Sequence, residues 1–230
     1  MQKMKNKHKS NNKGFSLVEM IIVISIIAIL MGIMVPQLIK YIYKAKKSAD
    51  IQTCDAIGSV FNDLMYDVTD PAGVAMYEYV QESAGYLNSS KYSSPNAYRV
   101  LATMNARPNY KTNKSDGYRH KLQIQNFNKY KNRGIEEKFM EACADIQDLQ
   151  FSKAETMDSY VICCDEDMKI YVFLGGGING DTWFITKDSI EDCYYNSGNK
   201  NIKLYMVYPE VSADYLSLKT PNDCKRLDGK

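Results

Sequence analysis

The chain has 230 residues, 45% of them hydrophobic and 24% charged, with a formal net charge of +2. That near-balance excludes recognition of nucleic acid or of an acidic partner through bulk charge. The length allows one ordinary domain plus a membrane segment, or two small domains.

The charge is unevenly spread. Residues 1–13 hold Lys3, Lys5, Lys7, Lys9 and Lys13 and no acid. A basic tail ahead of an apolar run keeps that tail on the cytoplasmic side of a membrane. The run itself, Met20 to Val35, has no charged residue, and Phe15 to Ile39 has only Glu19. As a helix that segment spans about 37 Å, enough for a hydrocarbon core of ~30 Å. It is too long for a secretory signal peptide, and no small-x-small cleavage site follows it. A plain anchor leaves Glu19 unexplained, because a carboxylate in a membrane segment is costly and is kept for a task.

The stretch Lys13-Gly14-Phe15-Ser16-Leu17-Val18-Glu19 resembles the class III signal of type IV prepilins and type II secretion pseudopilins. The resemblance covers roughly Met1 to Met65, and no family signature is seen beyond it. It implies cleavage after Gly14 by a membrane aspartyl peptidase, the prepilin peptidase, and methylation of the new N-terminus at Phe15. It further implies that Glu19 pairs with the N-terminus of a neighbouring subunit during assembly, and it matches Pro36 to the family's proline inside the helix. The residues themselves agree. Gly14 leaves the backbone open to a protease. A buried carboxylate needs a paired charge, and the amine of Phe15 would supply one. The alternative for Glu19 is an acid near the interface that is partly solvated. Pro36 lacks a backbone donor and, with Gly32, is expected to kink or locally melt the helix.

The helix is expected to continue past Pro36, with Tyr41, Ile42, Ala45 and Ala49 on one face. Ile57, Val60, Phe61, Leu64, Met65 and Val68 then repeat at helical spacing. Lys40, Lys44, Lys46 and Lys47 read as a solvated face or as headgroup contacts. Asp70-Pro71-Ala72-Gly73 stops the helix. The expected organisation is a cleaved leader over 1–14, a transmembrane and filament-core half of the helix over 15–39, an amphipathic half over 40–69 and a globular head over 70–230.

In the head, residues 71–133 are polar and Tyr-rich; "NSSKYSSPNAY" and "NYKTNKSDGYRH" read as loops. A short helix is expected over Val74–Ser83 and another over Ile135–Leu149. "SYVICCD", "MKIYVFLG", "TWFITKD" and "IKLYMVYP" read as strands. The fold class is therefore α+β, with a long N-terminal helix on a C-terminal antiparallel sheet of about four strands. That is the architecture the resemblance implies. "GGGINGD" lacks the ending of a phosphate loop and reads as a hairpin loop, and "DEDMK" reads as a turn, not a calcium loop.

Six cysteines, Cys54, Cys143, Cys163, Cys164, Cys193 and Cys224, allow more pairings than a sequence can decide. Cys163 and Cys164 are adjacent in an expected strand and so point to opposite faces. The resemblance points to a disulfide between Cys193 and Cys224, since many pilins close a C-terminal loop. A pairing of Cys54 or Cys143 with one of the adjacent two is a weaker alternative. A zinc site of Cys54, Cys143 and Cys163 or Cys164 ranks lower, because no close CxxC pair supports it. Of the two histidines, His8 lies in the leader and His120 in a polar loop, so nothing sets up a nucleophile and base. No catalytic residue, metal or cofactor is expected.

The resemblance thus implies a structural, non-enzymatic subunit of a type IV pilus. It would be single-pass in the cytoplasmic membrane with the head outside, and later part of an extracellular filament. Implied partners are itself, other pilins, the prepilin peptidase, the assembly ATPase and its platform protein. The alternatives are a minor pilin or pseudopilin of a secretion or competence system, and a membrane-anchored binding domain with no filament role.

Overall fold

The computed structural model describes residues 14–87, 97–105, 122–125, 129–130, 132–143, 146–151, 157–176, 184–187, 193–197 and 200–224. The chain divides into two compact units, Met1–Ile42 and Tyr43–Lys230.

One helix, α1, runs from Leu17 to Tyr66. Its first stretch belongs to the first unit, where the side chains from Leu17 to Ile42 are exposed. Pro36 lies within the helix. The carbonyl that its missing N–H would have served is that of Gly32, four residues earlier. The helix is assigned without a break through both residues.

In the second unit α1 turns one face inward and buries Asp50, Cys54, Ile57, Gly58, Phe61 and Met65. Spacings of three and four residues keep these on one stripe. Val60 and Leu64 are half-buried, and Val68, expected on the same face, lies beyond the helix end and is exposed. α2, Pro71–Leu87, is longer than the expected helix and buries Ala72, Ala75, Met76, Tyr79, Val80, Ser83, Ala84 and Leu87. Gly73 permits the tight turn between the two helices, because a Cβ there would overlap the carbonyl of Asp67. α3 spans Ile135–Ala142 and ends well short of Leu149. The short α4, Ala213–Ser217, is capped by Ser212, whose hydroxyl accepts the N–H of Tyr215.

The sheet corrects the four-strand expectation. Among the described residues seven strands form: β1 Ala97–Asn105, β2 Leu122–Ile124, β3 Ser159–Cys164, β4 Ile170–Gly175, β5 Phe184–Lys187, β6 Cys193–Ser197 and β7 Lys200–Tyr208. Their order is β2-β1-β3-β4-β7-β6-β5, and β1 also pairs with β5. That extra pairing closes six antiparallel strands, β1-β3-β4-β7-β6-β5, into a barrel, with β2 attached outside the ring. β1 achieves this by dividing one edge. Ala97 to Arg99 face Thr186 to Phe184, whereas Ala102 to Met104 face Ile124 to Leu122. The expected strands are β3, β4, β5 and β7; β1, β2 and β6 are the additions.

The closed ring separates two apolar clusters. Tyr98, Val100, Val161, Cys163, Phe173, Ile185, Cys193, Leu204 and Met206, drawn from all six ring strands, fill the barrel interior. Alternate residues of the same strands, including Ala102, Met104, Tyr160, Ile162, Cys164, Val172, Leu174, Tyr205 and Val207, face the helices and pack with Ile57, Phe61, Met65, Met76, Tyr79 and Phe139. β1 changes face midway. Tyr98 and Val100 point into the barrel, but Ala102 and Met104 point to the helices, because the register slips between Val100 and Ala102. A bulge inserts one residue and so inverts the side-chain parity beyond it. The expected turn over "DEDMK" is present: Asp165 Oδ1 accepts the N–H of Asp167 at 3.0 Å and of Lys169 at 2.9 Å. Most of "GGGINGD" and the loops around residues 88–96 and 109–120 lie outside the described residues.

Candidate functional site: the N-terminal processing and assembly segment

Gly14, Phe15 and Ser16 precede α1 in non-helical conformation, and Phe15 is 82% exposed. A Cβ on Gly14 would meet nothing within 4 Å, so the described residues leave room at that position. Ser16 starts the helix. Its carbonyl accepts the N–H of Met20 at 3.2 Å, and its hydroxyl accepts the N–H of Val18 at 3.3 Å. Glu19 reaches back, and its Oε2 accepts the Ser16 N–H at 2.8 Å. The two side chains satisfy donors that the first turn of a helix leaves without an intrahelical partner, a reciprocal Ser-x-x-Glu cap in which the hydroxyl takes the second helical N–H. Glu19 also places negative charge at the positive end of the helix dipole.

The carboxylate is therefore held at the mouth of the helix, next to the bond expected to be cut. Were the chain cut at the expected bond, between Gly14 and Phe15, the new amine would lie one residue before the amide that Glu19 holds. Sequence reasoning found Glu19 but not Ser16, although Ser-x-x-Glu before an apolar run is a readable signature.

Beyond this cap the helix is apolar on every side, and Ser25 turns its hydroxyl onto the carbonyl of Ile21 at 2.7 Å. α1 is long and apolar enough to cross a membrane, and none of its most apolar window is buried within the chain. A helix apolar all round needs lipid or other protein around it.

The cysteines of the second unit do not assemble as expected. Cys193 lies in the barrel interior and Cys224 in the helix-facing cluster, so the structure does not bring the expected pair together. Cys163 and Cys164 do point to opposite faces, but both faces are buried, one inside the barrel and one under the helices. Cys54, Cys143 and Cys164 share the helix-facing cluster, and among the described residues no group of three side chains could hold a metal ion. Burial pushes the Cys143, Cys164 and Cys224 thiols up to about 12. It also drives Cys54 and Cys163 well above the usual thiol range. Thiols so held are protonated at neutral pH and poor nucleophiles. His8 and His120 lie outside the described residues.

Residues 9–35 match the model of the prokaryotic N-terminal methylation motif, the class III prepilin signal of type IV pilins and pseudopilins. The match supports a member of that pilin and pseudopilin family, and the apolar N-terminal part of α1 supports a membrane anchor. It implies processing by a prepilin peptidase and assembly with pilins. No curated protein and no solved structure matches the chain.

Proposed function

We propose that the chain is the structural subunit of a type IV pilus. The prepilin peptidase removes residues 1–14 on the cytoplasmic side and methylates Phe15. The processed subunit waits in the cytoplasmic membrane with its head outside. An assembly ATPase acting through a platform protein then moves it into an extracellular filament, where the apolar part of α1 exchanges lipid for the same helix in neighbouring copies. The observation that carries this reading is the cap at the start of α1. It holds Glu19 against the Ser16 N–H, one residue from the expected new N-terminus, ahead of a stretch with no charge from Met20 to Ile39. In the filament, Glu19 accepts the charge of an incoming subunit's amine, since a carboxylate in an apolar bundle is tolerated only when paired.

Mass spectrometry of the protein from its native cell tests the proposal. The expected chain starts at N-methylated Phe15 and dominates filaments sheared from the cell surface. A processed chain scarce in such filaments indicates a minor pilin or pseudopilin. A chain that still begins at Met1 indicates a membrane-anchored binding domain and overturns the reading.

A further inference from the structure

Within the second unit, the chain separates its charges along α1 and the turn that follows it. Residues 43–49 carry Lys44, Lys46 and Lys47 and no acid. Residues 50–70 carry Asp50, Asp55, Asp63, Asp67 and Asp70 and no lysine or arginine. Half of these charges are used inside the chain. Lys47 donates to the carbonyls of Leu216 and Leu218 at 2.7 Å each. Asp50 accepts the N–H groups of Gln150 and Phe151 and the hydroxyl of Tyr215. Asp67 accepts the Thr69 hydroxyl at 2.6 Å, and Asp70 pairs with Lys138 at 2.8 Å.

Lys44, Asp55 and Asp63 are left over. All three are exposed, and none of their side chains makes a hydrogen bond or an ion pair among the described residues. Lys46 is half-buried. Asp63 also stands one helical turn before Asp67, and like charges at that spacing destabilise a helix. An ammonium brought from outside the chain relieves that repulsion. The exposed residues between Lys44 and Asp63 include Ser48, Gln52, Ala56 and Ser59, none bulky enough to hold a neighbour off.

In the filament reading above, on which this inference rests, all copies stand the same way up in the membrane, so neighbours are parallel. A contact that propagates along a filament needs its two halves on different sides of the subunit. Asp63 comes nineteen residues after Lys44. On a helix that is about 28.5 Å of rise, too far for a pair within one chain, and about 100° of rotation beyond whole turns. One copy can therefore engage one neighbour through Lys44 and another through Asp63. Asp55 is rotated only about 20° from Lys44, which would bring both neighbours to the same flank.

We propose that Lys44 of one copy pairs with Asp63 of a neighbouring copy, holding parallel copies at an axial offset of about 28.5 Å.

The test uses the full chain in its native cell. Sheared filament is measured against total processed chain, so that lost processing or lost protein is not counted as lost assembly. Lys44→Glu and Asp63→Lys are each expected to lower the sheared fraction about tenfold, because each sets like charges against one another at every contact. Both changes in one chain restore most of it. Asp55→Lys in place of Asp63→Lys does not. Single reversals that leave the sheared fraction unchanged overturn the inference. A double reversal that stays defective assigns the two residues to separate partners, such as lipid or another subunit, and also overturns it, as does restoration by Asp55→Lys. These results remove the pairing alone, provided that the unaltered chain forms filaments. An unaltered chain missing from sheared filaments refutes the filament reading itself, and the pairing with it.

Discussion

Asp50 of α1 accepts the hydroxyl of Tyr215 of α4 at 3.2 Å, and its two oxygens also accept the N–H groups of Gln150 at 2.8 Å and Phe151 at 3.0 Å. One carboxylate, 1% exposed, thus ties two distant segments of the head to the long helix. Lys47, one turn earlier, ties the carbonyls that follow Tyr215. The long helix, the segment around Phe151 and α4 are joined here through polar groups that an apolar environment strengthens.

Replacing Asp50 with alanine leaves two buried donors, the Phe151 N–H and the Tyr215 hydroxyl, and one part-buried donor, the Gln150 N–H, without this acceptor. The cost expected is about 3 kcal/mol or more, because unsatisfied buried donors carry their full desolvation penalty. Denaturant unfolding of the head measures it. A loss under about 0.5 kcal/mol, typical of an exposed site, would refute the tie.

Gly58 lies flat beneath the ring of Tyr208, and a Cβ there would overlap the ring. Tyr208 is fixed from the other end by Asn62, whose Nδ2 donates to its hydroxyl at 3.0 Å. Gly58→Ala is therefore expected to cost about 1–3 kcal/mol despite the better helix propensity of alanine. Gly85→Ala, where a Cβ meets nothing within 4 Å, is expected to be neutral or stabilising. The two melting temperatures should move in opposite directions or differ clearly.

Alkaline pH should unfold the reduced head. Burial raises the Cys143, Cys164 and Cys224 thiols from 9.0 to about 12. Their folded pKa lies above the unfolded value, so the protonated form is favoured by folding. Stability is fully present below pH 9 and is lost as pH rises towards 12, where the unfolded chain releases protons that the folded chain retains. A melting temperature that stays flat over this window in the presence of reductant would contradict the buried-thiol arrangement.

Substituting Glu19 with valine should leave leader removal largely intact but abolish or strongly shorten surface filaments. Substituting Gly14 with leucine should leave the chain with its leader still attached, because the open backbone at the cut is then obstructed. Electrophoretic mobility reads the second outcome and electron microscopy of sheared material the first. Normal filaments from the Glu19→Val protein would remove the charge-pairing account.

Much of the candidate site was legible, because its signal is local. A glycine, a lone glutamate and an uncharged run need no tertiary contact to be recognised, although the serine three residues before that glutamate went unread. The strands β3, β4, β5 and β7 were legible for a similar reason, being β-branched and aromatic. β1 was not. Its bulge moves Tyr98 and Val100 to one face and Ala102 and Met104 to the other, so simple alternation is interrupted within nine residues. β6, Cys193–Ser197, is short and ends in polar residues that look like a turn. Barrel closure depends on β1 pairing with both β3 and β5, which are distant in sequence, and no local pattern encodes it. Asp50 was missed because a lone acid on an amphipathic helix looks solvated until the segments that donate to it are placed.

Closure of the barrel bears on how such heads tolerate crowding. Strand margins with spare amides and carbonyls invite intermolecular zippering, the first step toward amyloid-like aggregates. A ring offers no such margin, and the short β2 is where a head most exposes one. Copies brought close together would then adhere only through whatever their side chains specify.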